Sequence, residues 1–352
     1  MKILTINEAF TGNIGDKAIN FCLKNLLQER FVEATIFEES YTGKPDMGNG
    51  NKPKSNISKK VRQILKSILP QKATLRTLWL LRNAHLIAKH RKQRYDLVVI
   101  GGGALIDGYW LFPFVFWFWT FLFKTTQSSK IIVFAIGYGR DMSSFDKLMI
   151  KKALKRVDEI YLRDIESIKR FKNDYGITAK FVPDVAFTIS RFVPSALNFE
   201  KRITVFPLNY EMYKREMVKA NESYIDKRQY LDDWIEGIKT YYDKGYQIVF
   251  SSSEPEDLPF LNEVRLEVEE LNLPTTVSIP QNLEELLIQI SSSAVILSGR
   301  MHPLIIGYSY GCECLSYPLY HKIRNFKQEI LEGNKDRHAL SNKVLEVVRG
   351  LD

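Results

Sequence analysis

The sequence predicts an α/β protein of two Rossmann-like, doubly wound domains that face a cleft. Three observations lead there. Runs such as Asp96-Leu-Val-Val-Ile100, Lys130–Ile136 and Ala294-Val-Ile-Leu-Ser298 are strand-sized and continuously apolar, as parallel strands buried on both faces are. Segments with helical spacing follow them, which gives βαβ units and parallel sheets. The chain has 352 residues, long for one core, and its strand–helix alternation restarts near Arg202.

In the first series, Lys2–Asn7 reads as a strand. Asp16–Arg30 reads as a helix, because Ile19, Leu23, Leu26 and Leu27 recur on one face. Thr35–Phe37 is a short strand. Residues 41–56, rich in Gly, Pro, Asn and Lys, form a loop. Ser58–Lys89 is helical with a break near Pro70. Asp96–Ile100 runs into Gly101-Gly102-Gly103, and Lys130–Ile136 into Gly137-Tyr138-Gly139. Ser144–Arg156 is helical. Glu159–Leu162 leads to Arg163-Asp164 and a helix to about Phe171, and Phe181-Val182 leads to Pro183-Asp184.

The second series has strands at Ile203–Pro207, Gln247–Phe250, Thr276–Ile279, Ala294–Leu297 and Cys312–Tyr317. Its helices are Tyr230–Asp243, Pro259–Leu271, Leu283–Ser291 and Pro303–Tyr310, with a C-terminal helix at 336–350. The domain boundaries expected are 1–195, 196–335 and a terminal segment 336–352.

Charge is unevenly placed. The net charge is +9, yet residues 48–95 hold thirteen Lys or Arg and no Asp or Glu. The rest of the chain has 37 basic against 41 acidic residues. A mildly acidic globule with one basic insert argues against nucleic acid as a partner and for a local anionic one. Cys22, Cys312 and Cys314 are too few for a disulfide framework, and no Cys/His set completes a metal site. Met1 runs straight into a strand, so a cytoplasmic location is expected.

Candidate functional groups gather at predicted strand ends, where open α/β sheets bind ligands. They are Asn13, Asp16, Gly102, Gly103, Arg163, Asp184, Glu254, Arg300, His302 and Lys322. Arg300 and His302 carry the most information. A guanidinium grips carboxylate or phosphate with two N–H groups, and an imidazole moves protons near neutral pH. Together they ask for a small anionic substrate that gains or loses a proton. Each group also has a structural explanation: Asp16 as a helix cap, Asp184 as a turn residue, Arg300 as a carbonyl cap. The glycines do not match the dinucleotide fingerprint, and no P-loop occurs.

The motifs Asn13-Ile-Gly-Asp16, Asp96-Leu-Val-Val-Ile-Gly-Gly-Gly103, Ala135-Ile-Gly-Tyr-Gly139, Leu162-Arg-Asp-Ile-Glu-Ser167, Val182-Pro-Asp184 and Ser298-Gly-Arg-Met-His302, followed by Lys322, occur in that order. The series resembles the polysaccharide pyruvyltransferase family over roughly residues 1–330. The resemblance implies a fold like that of GT-B glycosyltransferases. It also implies phosphoenolpyruvate as donor, and ketal formation on a sugar of a cell-surface polysaccharide or its lipid-linked precursor. Donor binding then falls on Arg163, Arg300 and Lys322, and the essential histidine on His302. Asp16 accepts a hydroxyl proton or orients the acceptor. No redox cofactor or metal is required. The competing reading is a nucleotide-sugar-dependent glycosyltransferase of the same fold, in which Arg300 and Lys322 hold a diphosphate. A non-catalytic lipid- or glycan-binding protein is the third.

Tyr109–Phe123 places ten aromatics in fifteen residues. It is shorter than the roughly 20 residues that span a bilayer, and Pro113 interrupts it. Aromatics favour the headgroup layer and the basic insert lies just before them. We therefore expect peripheral docking on the inner face of an anionic plasma membrane, with this run as the apolar anchor. Burial in the core and a subunit contact are the alternatives.

Overall fold

The structure is a computed structural model that describes residues 1–43, 64–65, 67–108, 110–127, 129–139, 142–195 and 200–352. It divides into two compact units. The first is Met1–Thr11, Ile19–Asp184 and Val344–Asp352; the second is Gly12–Ala18 and Val185–Lys343. The chain therefore changes unit at Asp184/Val185, ahead of the expected boundary at 195. The C-terminal segment is not separate. Its last residues belong to the first unit, where Leu351 is buried and its carbonyl accepts two hydrogen bonds from Arg30.

The first unit is built on a six-stranded parallel sheet in the order β2-β1-β3-β4-β5-β6. The strands are β1 (Lys2–Asn7), β2 (Thr35–Ser40), β3 (Leu97–Gly101), β4 (Lys130–Ile136), β5 (Glu159–Leu162) and β6 (Lys180–Phe181). Its helices are α1 (Ile14–Arg30), whose first residues count with the second unit, α2 (Gln71–Arg82), α3 (Ala84–Lys92), α4 (Phe112–Gln127), α5 (Ser144–Leu154) and α6 (Ile165–Tyr175). Strand order reverses between β1 and β3. Every residue of β3 is buried, as its unbroken apolar run required. The break at Pro70 is where expected, since Pro70 precedes α2; a second break at Asn83 separates α2 from α3.

The second unit holds a five-stranded parallel sheet in the order β11-β10-β7-β8-β9. Its strands are β7 (Glu200–Phe206), β8 (Gln247–Phe250), β9 (Thr275–Val277), β10 (Ser293–Ser298) and β11 (Glu313–Ser316). Its helices are α7 (Ile189–Phe192), α8 (Tyr210–Lys219), α9 (Lys227–Tyr242), α10 (Leu258–Glu270), α11 (Leu283–Ser291), α12 (Met301–Tyr310), α13 (His321–Phe326) and α14 (Arg337–Arg349), whose residues from Val344 on count with the first unit. Here the order reverses between β7 and β10, so the loops after those two strands flank the switch point, where ligands of such sheets bind.

The aromatic run corrects one expectation. From Phe112 on it forms α4, and Phe114, Phe116, Trp119 and Phe123 are buried in the first unit's core. Trp119 is 0% exposed, meets Trp79 edge-on at 6.1 Å, and donates its indole N–H to the Tyr41 carbonyl at 2.9 Å. Trp79 likewise donates to the Thr42 carbonyl at 2.8 Å. A helix apolar on all sides suits either a core or a bilayer; here it is core. Of the run's described aromatics, Phe121 in the helix and Trp110 just before it are exposed. Among the described residues no helix is long and apolar enough to cross a membrane. Part of the basic insert, including Lys59, Lys60, Arg62 and Lys66, lies outside the described residues.

Trp119→Ala should destabilise the protein by about 3–5 kcal/mol, the range for emptying a large aromatic site. Urea unfolding followed by tryptophan fluorescence checks this. A change below about 1 kcal/mol contradicts the burial described.

Candidate active site

In the second unit, β10 ends at Ser298 and delivers Gly299-Arg300. The turn is closed by Ser298: its Oγ accepts from the Arg300 N–H and donates to the Arg300 carbonyl, both at 2.9 Å. Gly299 is required by space, because a Cβ there falls 2.5 Å from the Leu208 Cβ. α12 then starts at Met301 and carries His302 in its first turn.

The Arg300 guanidinium is engaged. Its Nε donates to Asp257 Oδ2 at 2.7 Å and its Nη2 to Oδ1 at 2.9 Å. Asp257, 1% exposed, also accepts the Asn209 N–H at 3.0 Å. Burial works against the charge on Arg300, but the Asp257 carboxylate overrides it and holds the guanidinium above its ordinary pKa. The fork expected to grip a ligand thus grips protein, and Nη1 makes no hydrogen bond to the described residues.

Asn13 Oδ1 accepts the N–H groups of Gly15 at 2.8 Å and Asp16 at 3.3 Å. Asn13 is therefore the helix cap, and Asp16 sits in the first turn of α1. The Ile14 N–H donates to the Ser253 carbonyl at 3.2 Å. Gly15 lies against the imidazole: a Cβ there would stand 2.3 Å from His302 Nδ1. The Asn-Ile-Gly-Asp motif, the Ser253–Glu254 turn and His302 are thus neighbours within the second unit. His302 Nε2 is shielded from solvent.

Glu254 follows Ser253. The Ser252 hydroxyl fixes its backbone, accepting the Glu254 N–H at 3.2 Å and donating to the Glu254 carbonyl at 2.7 Å. Burial pushes the Glu254 carboxyl up to about 7; the Arg300 charge opposes this, and Asp257 and Glu256 add to it. Lys322 lies in the first turn of α13, two residues after Tyr320. Burial pushes the Tyr320 phenol up to about 12 against the Arg300 charge.

The remaining candidates belong to the first unit. Arg163, after β5, donates from Nη1 to Asp184 Oδ2 at 2.6 Å, with both side chains largely buried. Gly137 leaves the guanidinium room, since a Cβ there would stand 3.0 Å from its Nε. Gly102 and Gly103 follow β3 with positive φ, and a Cβ on Gly102 would meet Ile19 Cγ2 at 2.0 Å. These two glycines are positioned by packing and turn geometry. Sequence reasoning missed Asp257. Its only signal was the acidic run Glu254-Pro-Glu-Asp257 after a strand. Among the described residues no group of three or more His, Cys, Asp or Glu is arranged to hold a metal ion.

The family model for polysaccharide pyruvyl transferase matches residues 13–318, from the Asn13 cap to the segment beyond His302. The chain belongs to the polysaccharide pyruvyl transferase family. It is an enzyme of pyruvyl transfer to polysaccharide. No curated protein matches it. Among solved structures, the UDP-GlcNAc 2-epimerase of Neisseria meningitidis bound to UDP-GlcNAc is 13% identical, with 99% of this chain and 98% of that one covered and a TM-score of 0.54. The UDP-GlcNAc 2-epimerase of Methanocaldococcus jannaschii is 12% identical over 100% and 94%, TM-score 0.52. The MnaA–UDP structure from S. aureus is 11% identical over 98% and 90%, TM-score 0.53. At these identities the likeness shows the fold, two parallel-sheet α/β domains of the GT-B kind.

The raised Glu254 pKa has a sign. Between about pH 4.5, its ordinary value, and about pH 7, the folded protein holds a proton that the unfolded chain has lost. The stability it contributes is present below that window and lost as pH rises through it. Glu254→Gln should flatten this decline in a urea-unfolding series across pH. An unchanged pH profile contradicts the assignment.

Proposed function

We propose that the enzyme moves the enolpyruvyl group of phosphoenolpyruvate onto a sugar of a cell-surface polysaccharide or its lipid-linked precursor. The product is a cyclic pyruvate ketal, and phosphate is released. The observation that carries this reading is the packing of His302 against Gly15 beside the Arg300–Asp257 turn, at the switch point of the second sheet.

His302 donates a proton to the donor's methylene carbon, which leaves an oxocarbenium-like centre at C2. One sugar hydroxyl adds to C2, phosphate leaves, and a second hydroxyl closes the ketal. Arg300 meets the donor's anionic groups with Nη1, in an orientation set by Asp257. Lys322 supplies further positive charge, and Arg163 of the first unit is the remaining cationic candidate for the donor. Asp16 accepts a hydroxyl proton or orients the acceptor; Asn13, Gly102, Gly103 and Glu254 are the other acceptor candidates. Asp184 acts through Arg163. The acceptor is a glycan or lipid-linked oligosaccharide, met in the cytoplasm at the inner face of an anionic membrane. The nucleotide-sugar alternative draws on the fold of the structural neighbours, which also fits it.

A binding screen of phosphoenolpyruvate against nucleotide sugars separates the two readings. Preferential binding of a nucleotide sugar overturns the proposal. Arg300→Lys retains a cationic partner for Asp257 but lacks the fork. It should weaken phosphoenolpyruvate binding by roughly 1.5–3 kcal/mol, as measured by calorimetry. His302→Gln should bind the donor and lose turnover by on the order of 10²–10⁴-fold. Near-normal phosphate release by this variant removes His302 as the acid.

A further inference from the structure

We propose that the exposed face of α5 docks the first unit on an anionic lipid surface. This rests on the membrane part of the proposed reading and names the surface that would carry it. The aromatic run expected to take that role is mostly core.

Ser144–Leu154 and the two residues after it contain Lys147, Lys151, Lys152, Lys155 and Arg156 against one acid, Asp146. The helix buries Ile150, Ala153 and Leu154. Phe145 and Leu148, three apart, are left 56% and 48% exposed. Helical spacing puts Lys152 on the same face as this pair, with Lys151 and Lys155 beside it.

The charges on this face are unspent. Asp146 is buried and already pairs with Lys72 at 2.8 Å and Arg76 at 3.3 Å. Lys147 pairs with Asp174 at 2.7 Å. Lys151, Lys152 and Lys155 are exposed and make no ion pair among the described residues. The apolar surface extends past the helix end. The Arg156 guanidinium lies 5.4 Å from the ring centroid of Phe121, which is 40% exposed, and 5.9 Å from that of Trp117. At the other end Arg76 lies 4.8 Å from the Phe145 ring.

A few exposed apolar side chains are too small an area for a stable protein interface. With long cationic stems around them they suit a headgroup layer: the apolar groups enter it while the lysine ammoniums stay at anionic phosphates.

The test is co-sedimentation of the full chain with vesicles, either pure phosphatidylcholine or an equal mixture with phosphatidylglycerol. Wild type should pellet with the anionic vesicles alone. Lys151→Gln/Lys152→Gln/Lys155→Gln should lower that partitioning on the order of 100-fold, at about 1 kcal/mol for each lysine. Phe145→Ser/Leu148→Ser should leave a residual attachment that salt abolishes. Unchanged circular dichroism keeps both variants interpretable. Wild type remaining in the supernatant overturns the proposal together with the membrane reading. Equal binding by wild type and both variants overturns the assignment to α5 and leaves the membrane reading standing. Self-association in place of vesicle binding, seen by analytical ultracentrifugation and lost in the Phe145/Leu148 variant, makes the occupant a second copy and overturns it too.

Discussion

The Asp257 carboxylate is the interaction on which the second unit's candidate site depends. Sheet order places β10, β7 and β8 side by side. Asp257 follows β8, accepts the Asn209 N–H from the loop after β7, and holds the Arg300 guanidinium from the loop after β10. One buried side chain thus clasps the carboxyl-end loops of three adjacent strands. Asn209 strengthens the clasp by donating its Nδ2 to the Glu256 carbonyl at 3.0 Å. Removing one partner of such a pair leaves a buried charge without compensation, which is more damaging than never having built it.

This clasp changes what the site offers an anion. Read from the sequence, Arg300 and Arg163 were two cationic forks awaiting a ligand. In the structure each meets a carboxylate, Asp257 or Asp184. Pairing lowers the net charge offered but fixes direction. A guanidinium held at Nε and Nη2 presents Nη1 in one orientation, so less reorganisation is required when charge develops. Gly15 applies the same logic to His302. Any side chain at that position would occupy the space of the imidazole ring.

Much of the fold was legible because parallel strands announce themselves. The apolar runs 96–100 and 294–298 are β3 and β10 within a residue or two, and Leu283–Ser291 is helical over the expected span. The ordered motifs gave the family, which the match over 13–318 establishes. What stayed hidden was non-local. No local spacing relates Asp257 to Arg300, 43 positions apart, so only the sheet order brings them together. Nor does composition tell a helix wrapped in protein from one wrapped in lipid. Tyr41 and Trp79, far from α4 in sequence, decide that question, the first by accepting the Trp119 N–H and the second by covering its ring. The exposed pair Phe145 and Leu148 was inconspicuous for the opposite reason. Two apolar residues in a lysine-rich helix read as an ordinary amphipathic pattern until the buried face is known.

The most direct measurement of the central claim is a crystal structure of the protein soaked with phosphoenolpyruvate. The account places a donor carboxylate or phosphate oxygen on Arg300 Nη1, leaves Nε and Nη2 on Asp257, and brings the methylene carbon within reach of His302. A donor bound away from Arg300 and His302, or one that draws the guanidinium off Asp257, would contradict it.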